Sequence, residues 1–115
     1  MEQNSFWEVA FDNLSQGIYI LDHAGNYIYC NRAFLDMVEA DREDILQLNT
    51  FQLVPEGQVS KSVGASALEQ KQQLTIINTV VTPKGLRYRQ LATATPIFDN
   101  MGDVVYVLVE TTRLE

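Results

Sequence analysis

Residues 17–31, GIYILDHAGNYIYCN, constrain the fold more than any other stretch. Two short apolar runs flank a turn that opens on Asp22 and carries Gly25. An Asp side chain can bond the backbone two residues on, and Gly takes positive φ at little cost, so the stretch reads as a β-hairpin over 17–22 and 26–31. The second run ends at Asn31 and the helical pattern RAFLDM follows at once, so Asn31 is predicted to cap a helix. The first strand is apolar on both faces, Ile18 and Ile20 on one, Tyr19 and Leu21 on the other. Such a strand needs a covering layer on each side.

The rest of the chain supplies those layers. Ser5 and Glu8 have capping-box spacing ahead of Phe6, Val9, Ala10 and Leu14, which predicts an amphipathic helix over 5–14. Trp7 and Phe11 lie beside that stripe, so the helix must pack on the domain or on a partner. Residues 32–38 read as a helix, and a second short one is expected after Asp41, carrying Ile45, Leu46 and Leu48. Pro55 and Gly57 interrupt the pattern. Val59, Val63 and Ala67 then predict a longer helix over 58–70, with Gly64 its weak point. After residue 72 come LTIINTVV, LRYRQLATATPIF and VVYVLVETT, three strand-like runs separated by Pro83-Lys84-Gly85 and by Asp99 to Asp103. They are expected to form an antiparallel meander. The class is α+β, with one five-stranded antiparallel sheet, short helices over one face and an N-terminal flanking helix.

At 115 residues and 46% hydrophobic content the chain suits one domain with a real core, spanning 1–115. No apolar run reaches the ~20 residues that span a bilayer, and MEQNSFWEV lacks the basic start of a secretory signal. The single cysteine, Cys30, excludes an internal disulfide and a CxxC metal site, so no metal is expected and a reducing cytoplasm is the expected setting. The net charge is −7, and five acids crowd positions 36–44, which repels phosphate backbones and argues against nucleic acid as a direct partner. That acid run reads as a solvated helical face.

The order helix, two strands, short helices, three strands resembles PAS sensor domains over roughly residues 5–115. Three segments carry the resemblance: Leu21-Asp22 through Gly25 with Tyr27 to Asn31-Arg32-Ala33, then Ala94-Thr95-Pro96-Ile97-Phe98-Asp99 with Gly102 and Asp103, then Glu110-Thr111-Thr112-Arg113-Leu114. The last resembles the Asp-Ile-Thr end of many PAS domains, with Glu110 and Thr111 in place of the usual residues. The resemblance implies a core over 17–112 and a linker to an output domain starting at 113–115. It also implies a homodimer, with Phe6, Trp7 and Phe11 as candidate dimerisation residues, and a relay through Glu110 and Thr112. The stretch ATATPIFDNMGDVVYVLVETT is particularly similar to N-terminal PAS domains of sigma-54-dependent transcription activators.

Enzymatic chemistry has little to stand on. The one histidine, His23, sits in the hairpin turn, and Ser60, Ser62 and Ser66 have no basic partner. Haem-binding PAS domains use an axial His on or near the long helix, and residues 56–72 hold none. Flavin-binding relatives use a reactive Cys on a central helix, whereas Cys30 precedes Asn31 on a strand. Haem and covalent flavin are therefore not expected, and any cofactor is unknown. A cleft between sheet and helices suits a small molecule. Its candidate lining is Tyr29, Phe34, Met37, Phe51, Val63, Ile76, Leu91, Thr93 and Val107; Arg87 and Arg89 could offer a guanidinium to a carboxylate. The expected function is that of a non-catalytic sensory and dimerisation domain of a sigma-54-dependent regulator. The alternatives are a sensor of a histidine kinase or diguanylate cyclase, and a ligand-free interaction module.

Overall fold

The hairpin forms as its residues dictate. The computed structural model describes residues 5–114; residues 1–4 and 115, parts of the expected domain span, lie outside the described residues. Strands β1 (Gly17–Asp22) and β2 (Tyr27–Cys30) pair antiparallel. Asp22 Oδ1 accepts from the backbone N–H of Ala24 and of Asn26, both at 2.9 Å. Gly25 sits at φ +89°, and a Cβ there would stand 2.7 Å from the Phe51 ring. The other elements are α1 (Phe6–Asp12), α2 (Arg32–Val38), α3 (Arg42–Ile45), α4 (Thr50–Leu53), α5 (Val63–Gln70), β3 (Leu74–Val81), β4 (Arg87–Phe98) and β5 (Val104–Leu114). One antiparallel sheet results, in the order β2-β1-β5-β4-β3.

The two faces of the sheet differ. Tyr19, Leu21, Asn78, Val80, Tyr88, Gln90, Ala92, Ala94, Val107 and Val109 are buried on the face covered by α2 to α5. Among the described residues the opposite face is covered at the β1–β2 edge alone, where α1 lies. Residues 17–21 are all buried, as a strand between two layers requires. In α1 the Glu8 carboxylate accepts from the Ser5 N–H at 3.1 Å. Trp7 and Phe11 meet Tyr29 with ring centroids 5.2 and 6.1 Å away.

Pro96 lies inside β4, opposite Val107 of β5. Strand β3 stops at Leu74, opposite Ala94, so Pro96 faces no strand on that edge. Strand β5 continues through Arg113 and Leu114, with Leu114 paired to Arg89, two residues past the expected core boundary.

The helix expected over 58–70 is shorter than its apolar spacing predicts. Only 63–70 are helical, because Ser62 caps there: its Oγ accepts from the Ala65 N–H at 3.1 Å. Residues 58–60 instead run beside β3. The Val81 N–H donates to the Gln58 carbonyl at 2.7 Å, the Ser60 N–H donates to the Thr79 carbonyl at 2.9 Å, and Val59 bridges Val80. Helix α4 went unpredicted. Its signal is Asn49, whose side chain accepts from the Phe51 N–H at 2.9 Å.

Candidate ligand site between sheet and helices

A cavity of about 50 Å³ lies between the covered face of the sheet and the helices. Strand register assembles its polar side. Asn78 on β3 stands directly opposite Gln90 on β4, and Tyr88 lies two residues along on the same face. The segment pinned beside β3 brings Gln58 to the same wall. Asn78, Tyr88 and Gln90 are only 5%, 6% and 5% exposed. Asn78 Nδ2 donates to the Lys61 carbonyl at 2.6 Å, which fixes the orientation of its amide. Three buried polar atoms of these lining residues have no partner among the described residues: Gln58 Oε1, Asn78 Oδ1 and the Tyr88 hydroxyl. Unpaired buried polar groups are rare in native folds and call for a reason.

Hydroxyl groups continue around the cavity. Tyr19 and Tyr27 stack with centroids 4.6 Å apart, and the Tyr27 hydroxyl lies near those of Tyr19 and Thr50. Thr50 Oγ1 and Ser62 Oγ form a short hydrogen bond. Burial pushes the Tyr19 and Tyr88 hydroxyls up to about 12, and Tyr27 well above its ordinary value. Arg113 stacks over the Tyr88 ring at 4.8 Å and opposes part of that rise.

Of the nine predicted lining residues, the structure brings Phe34 and Val63 to the cavity. Val107 is fully buried on the same sheet face but contributes to the core. The others are displaced for identifiable reasons. A bulge between Ile20 and Leu21 shifts the register of β2, so Tyr29 pairs with Ile20 and packs under α1. Leu91 and Thr93 have the wrong parity on β4 and face away from the helices; Leu91 is 39% exposed, and Thr93 bonds Thr75 across the strands at 2.9 Å. Arg87 and Arg89 share that parity and are exposed. Phe51, 42% exposed, and Ile76 meet in a surface groove beyond α4. Met37 lies near Gly17 and Thr111 at the far end of β1. Sequence reading missed Gln58, Asn78, Tyr88 and Gln90. Their sequence signals differ: Tyr88 and Gln90 share one face of β4, Asn78 is the amide within β3, and Gln58 lies outside both strands.

The uncovered face carries an apolar groove between Trp7, Phe11, Ile20, Ile28, Ile97, Tyr106 and Leu108. Phe6, also named as a dimerisation candidate, is 88% exposed at the start of α1. Glu110 and Thr112 lie on the same face of β5, opposite Ile18 of β1 and Leu91 of β4 respectively. Gln16, in the link after α1, donates to Thr112 Oγ1 at 3.4 Å.

Neither a haem nor a flavin ring fits a cavity of about 50 Å³. Cys30 is fully buried on β2, its thiol pKa raised by burial against the pull of Arg42, so it is poorly activated as a nucleophile. Among the described residues no cluster of three or more His, Cys, Asp or Glu could hold a metal, and no helix is long and apolar enough to cross a membrane.

A five-stranded antiparallel sheet with short helices cupping a small cavity on one face defines a class of α+β module. The family model of the PAS fold matches residues 11–114, and the chain belongs to that family. Solved PAS domains share the architecture. One from a two-component sensor histidine kinase superposes with a TM-score of 0.73 at 17% identity, over 95% of this chain and 94% of that one. The PAS domain of nitrogen regulation protein NR(II) from Vibrio parahaemolyticus gives 0.69 at 18% identity, over 96% and 100%. The PAS domain of the fruit-fly ELK potassium channel gives 0.71 at 18% identity, over 96% and 98%. At such identities the likeness is one of fold, and these neighbours serve quite different proteins. No curated protein sequence matches the chain.

Proposed function

We propose that this PAS sensory domain binds a small molecule in the cavity between sheet and helices and passes the event to an output domain. The carrying observation is the set of three buried, unpartnered polar atoms on residues that line that cavity. A filled structural core has no use for them, since each costs about 1–3 kcal/mol unsatisfied. A ligand that pairs with them gains differentially from the bound arrangement. The domain acts without catalysis, in the cytoplasm, as a homodimer joined through the apolar groove under α1. Signal leaves through β5, where Glu110 and Thr112 share the face on which α1 sits. The similarity of ATATPIFDNMGDVVYVLVETT to sigma-54-dependent activators supports an output in transcription control. A histidine kinase or diguanylate cyclase is the alternative output.

The small volume of the cavity favours one other reading, a ligand-free interaction module. A thermal-shift screen of small molecules, sorted by charge, separates the two. The sensory reading expects at least one saturable stabiliser, and a screen without any supports the interaction module. Sedimentation velocity tests the dimer, and a strict monomer at high concentration with and without a stabiliser counts against it.

A further inference from the structure

We propose that the cavity selects a small uncharged molecule of primary-amide type, one that donates two N–H bonds to Gln58 Oε1 and Asn78 Oδ1 and accepts one from the Tyr88 hydroxyl. This assignment rests on the sensory reading and specifies its ligand class.

Asn78 has committed its NH₂ group to the Lys61 carbonyl, so its oxygen is the end left over. Gln58 Oε1 is also without a partner. An amide oxygen only accepts, so two of the three open positions call for a donor on the ligand. The third is a phenol hydroxyl, which can donate, and its raised pKa keeps it protonated at neutral pH.

Charge then narrows the class. The cavity wall includes no acidic residue among the described residues, and its one charged residue, Lys61, is exposed. A cation would be buried without a counter-charge, which is far costlier than burying a neutral donor. An anion would face two carbonyl oxygens that repel it. A neutral molecule with N–H donors meets neither penalty.

Size sets the last limit. One water needs about 10–15 Å³ of such space, so about 50 Å³ admits roughly three or four non-hydrogen atoms. Formamide has that size, with two N–H donors and one carbonyl acceptor. Fragments so small bind no tighter than about millimolar. A larger amide would need the wall to open, and the Gln58 segment is tied to β3 by two backbone hydrogen bonds, Val81 N–H to the Gln58 carbonyl and Ser60 N–H to the Thr79 carbonyl.

The test is an NMR titration of the ¹⁵N-labelled 115-residue chain with formamide, sodium formate and methylammonium chloride, three probes of like size and different charge. The proposal expects saturable shifts at Asn78, Tyr88 and Gln90 with formamide, with a midpoint in the millimolar range, and none with the two ions. Tyr88→Phe, which keeps the ring, should weaken formamide about tenfold with the remaining spectrum unchanged. Gln58→Leu, at a partly exposed position, should do the same if Tyr88→Phe disturbs the fold. Saturation by formate or methylammonium at equal or lower concentration overturns the amide assignment and leaves the sensory reading in place. An unchanged formamide midpoint in both variants overturns it too. If none of the three probes saturates, the chemistry of any thermal-shift stabiliser decides. A neutral multi-donor molecule upholds the class, a charged or donor-free one overturns it, and the absence of any stabiliser removes the sensory reading as well.

Discussion

The Asn31 side-chain NH₂ donates to the Phe11 carbonyl at 2.8 Å, joining the core to the last turn of α1. The same amide donates to the Gln16 carbonyl at 2.9 Å, and its oxygen accepts from the Ile18 and Phe34 N–H groups at 2.9 and 3.0 Å. One fully buried side chain thus binds α1, β1, β2 and α2. Asn31→Ala would leave four backbone groups short of a partner, and should cost about 3 kcal/mol or more in urea denaturation. A loss under about 1 kcal/mol would show that water replaces the side chain.

Asp12 is the second tie between α1 and the core. Its Oδ1 accepts from the Tyr29 hydroxyl at 3.0 Å, and from the Arg32 N–H and Arg42 Nη2 at 3.2 Å. The contact with Arg42 is partly exposed and adds at most about 1 kcal/mol. Asp12→Ala should therefore lower global stability little, yet speed hydrogen exchange across residues 6–12 several-fold. Unchanged exchange there would assign the docking of α1 to its aromatic contacts alone.

Gly64 sits inside α5, where replacing Gly by Ala ordinarily gains about 1 kcal/mol of helix propensity. Here a Cβ would stand 2.5 Å from Leu21 Cδ1 and 3.1 Å from Thr50 Oγ1. Leu21 is fully buried and has little room to give. Overpacking should win, so Gly64→Ala is expected to lower stability by about 1–3 kcal/mol. A rise in the denaturation midpoint would show that the helix can lift from β1.

Four tyrosines are held protonated by the fold. Burial raises Tyr19 and Tyr88 to about 12, and it raises Tyr27 and Tyr29 as well, with Asp12 adding to Tyr29. The unfolded chain loses these protons near pH 10 and the folded chain later. Above pH 10 the unfolded state binds fewer protons, so stability falls as pH rises towards 12 and is intact below 10. Urea midpoints from pH 8 to 11.5 should decline steeply above 10, along with delayed tyrosinate absorbance. A flat profile would contradict buried hydroxyls.

The sequence carried the fold because its turns and caps are local. Asp22, Gly25 and Asn31 state their roles in place, and antiparallel neighbours follow from short turns. The cavity was less legible because it depends on parity. On β4, Leu91 is more apolar than Gln90 and drew the assignment outward-facing residues do not merit. The covered face there takes Ala92 and Ala94 under α5, and Gln90 beside the polar wall. One residue of slip inverts a strand face. The bulge beside Ile20 did the same to Tyr29. Gln58 was hidden because the spacing of Val59, Val63 and Ala67 reads as helix, while the Ser62 cap and the pairing with β3 decide otherwise.

Native mass spectrometry of the purified chain, before and after denaturation, tests the central claim most directly. A small neutral molecule that accompanies the folded chain and departs on unfolding is the predicted result. The bare chain mass under both conditions, in a protein that no small molecule stabilises, would contradict a ligand-sensing cavity.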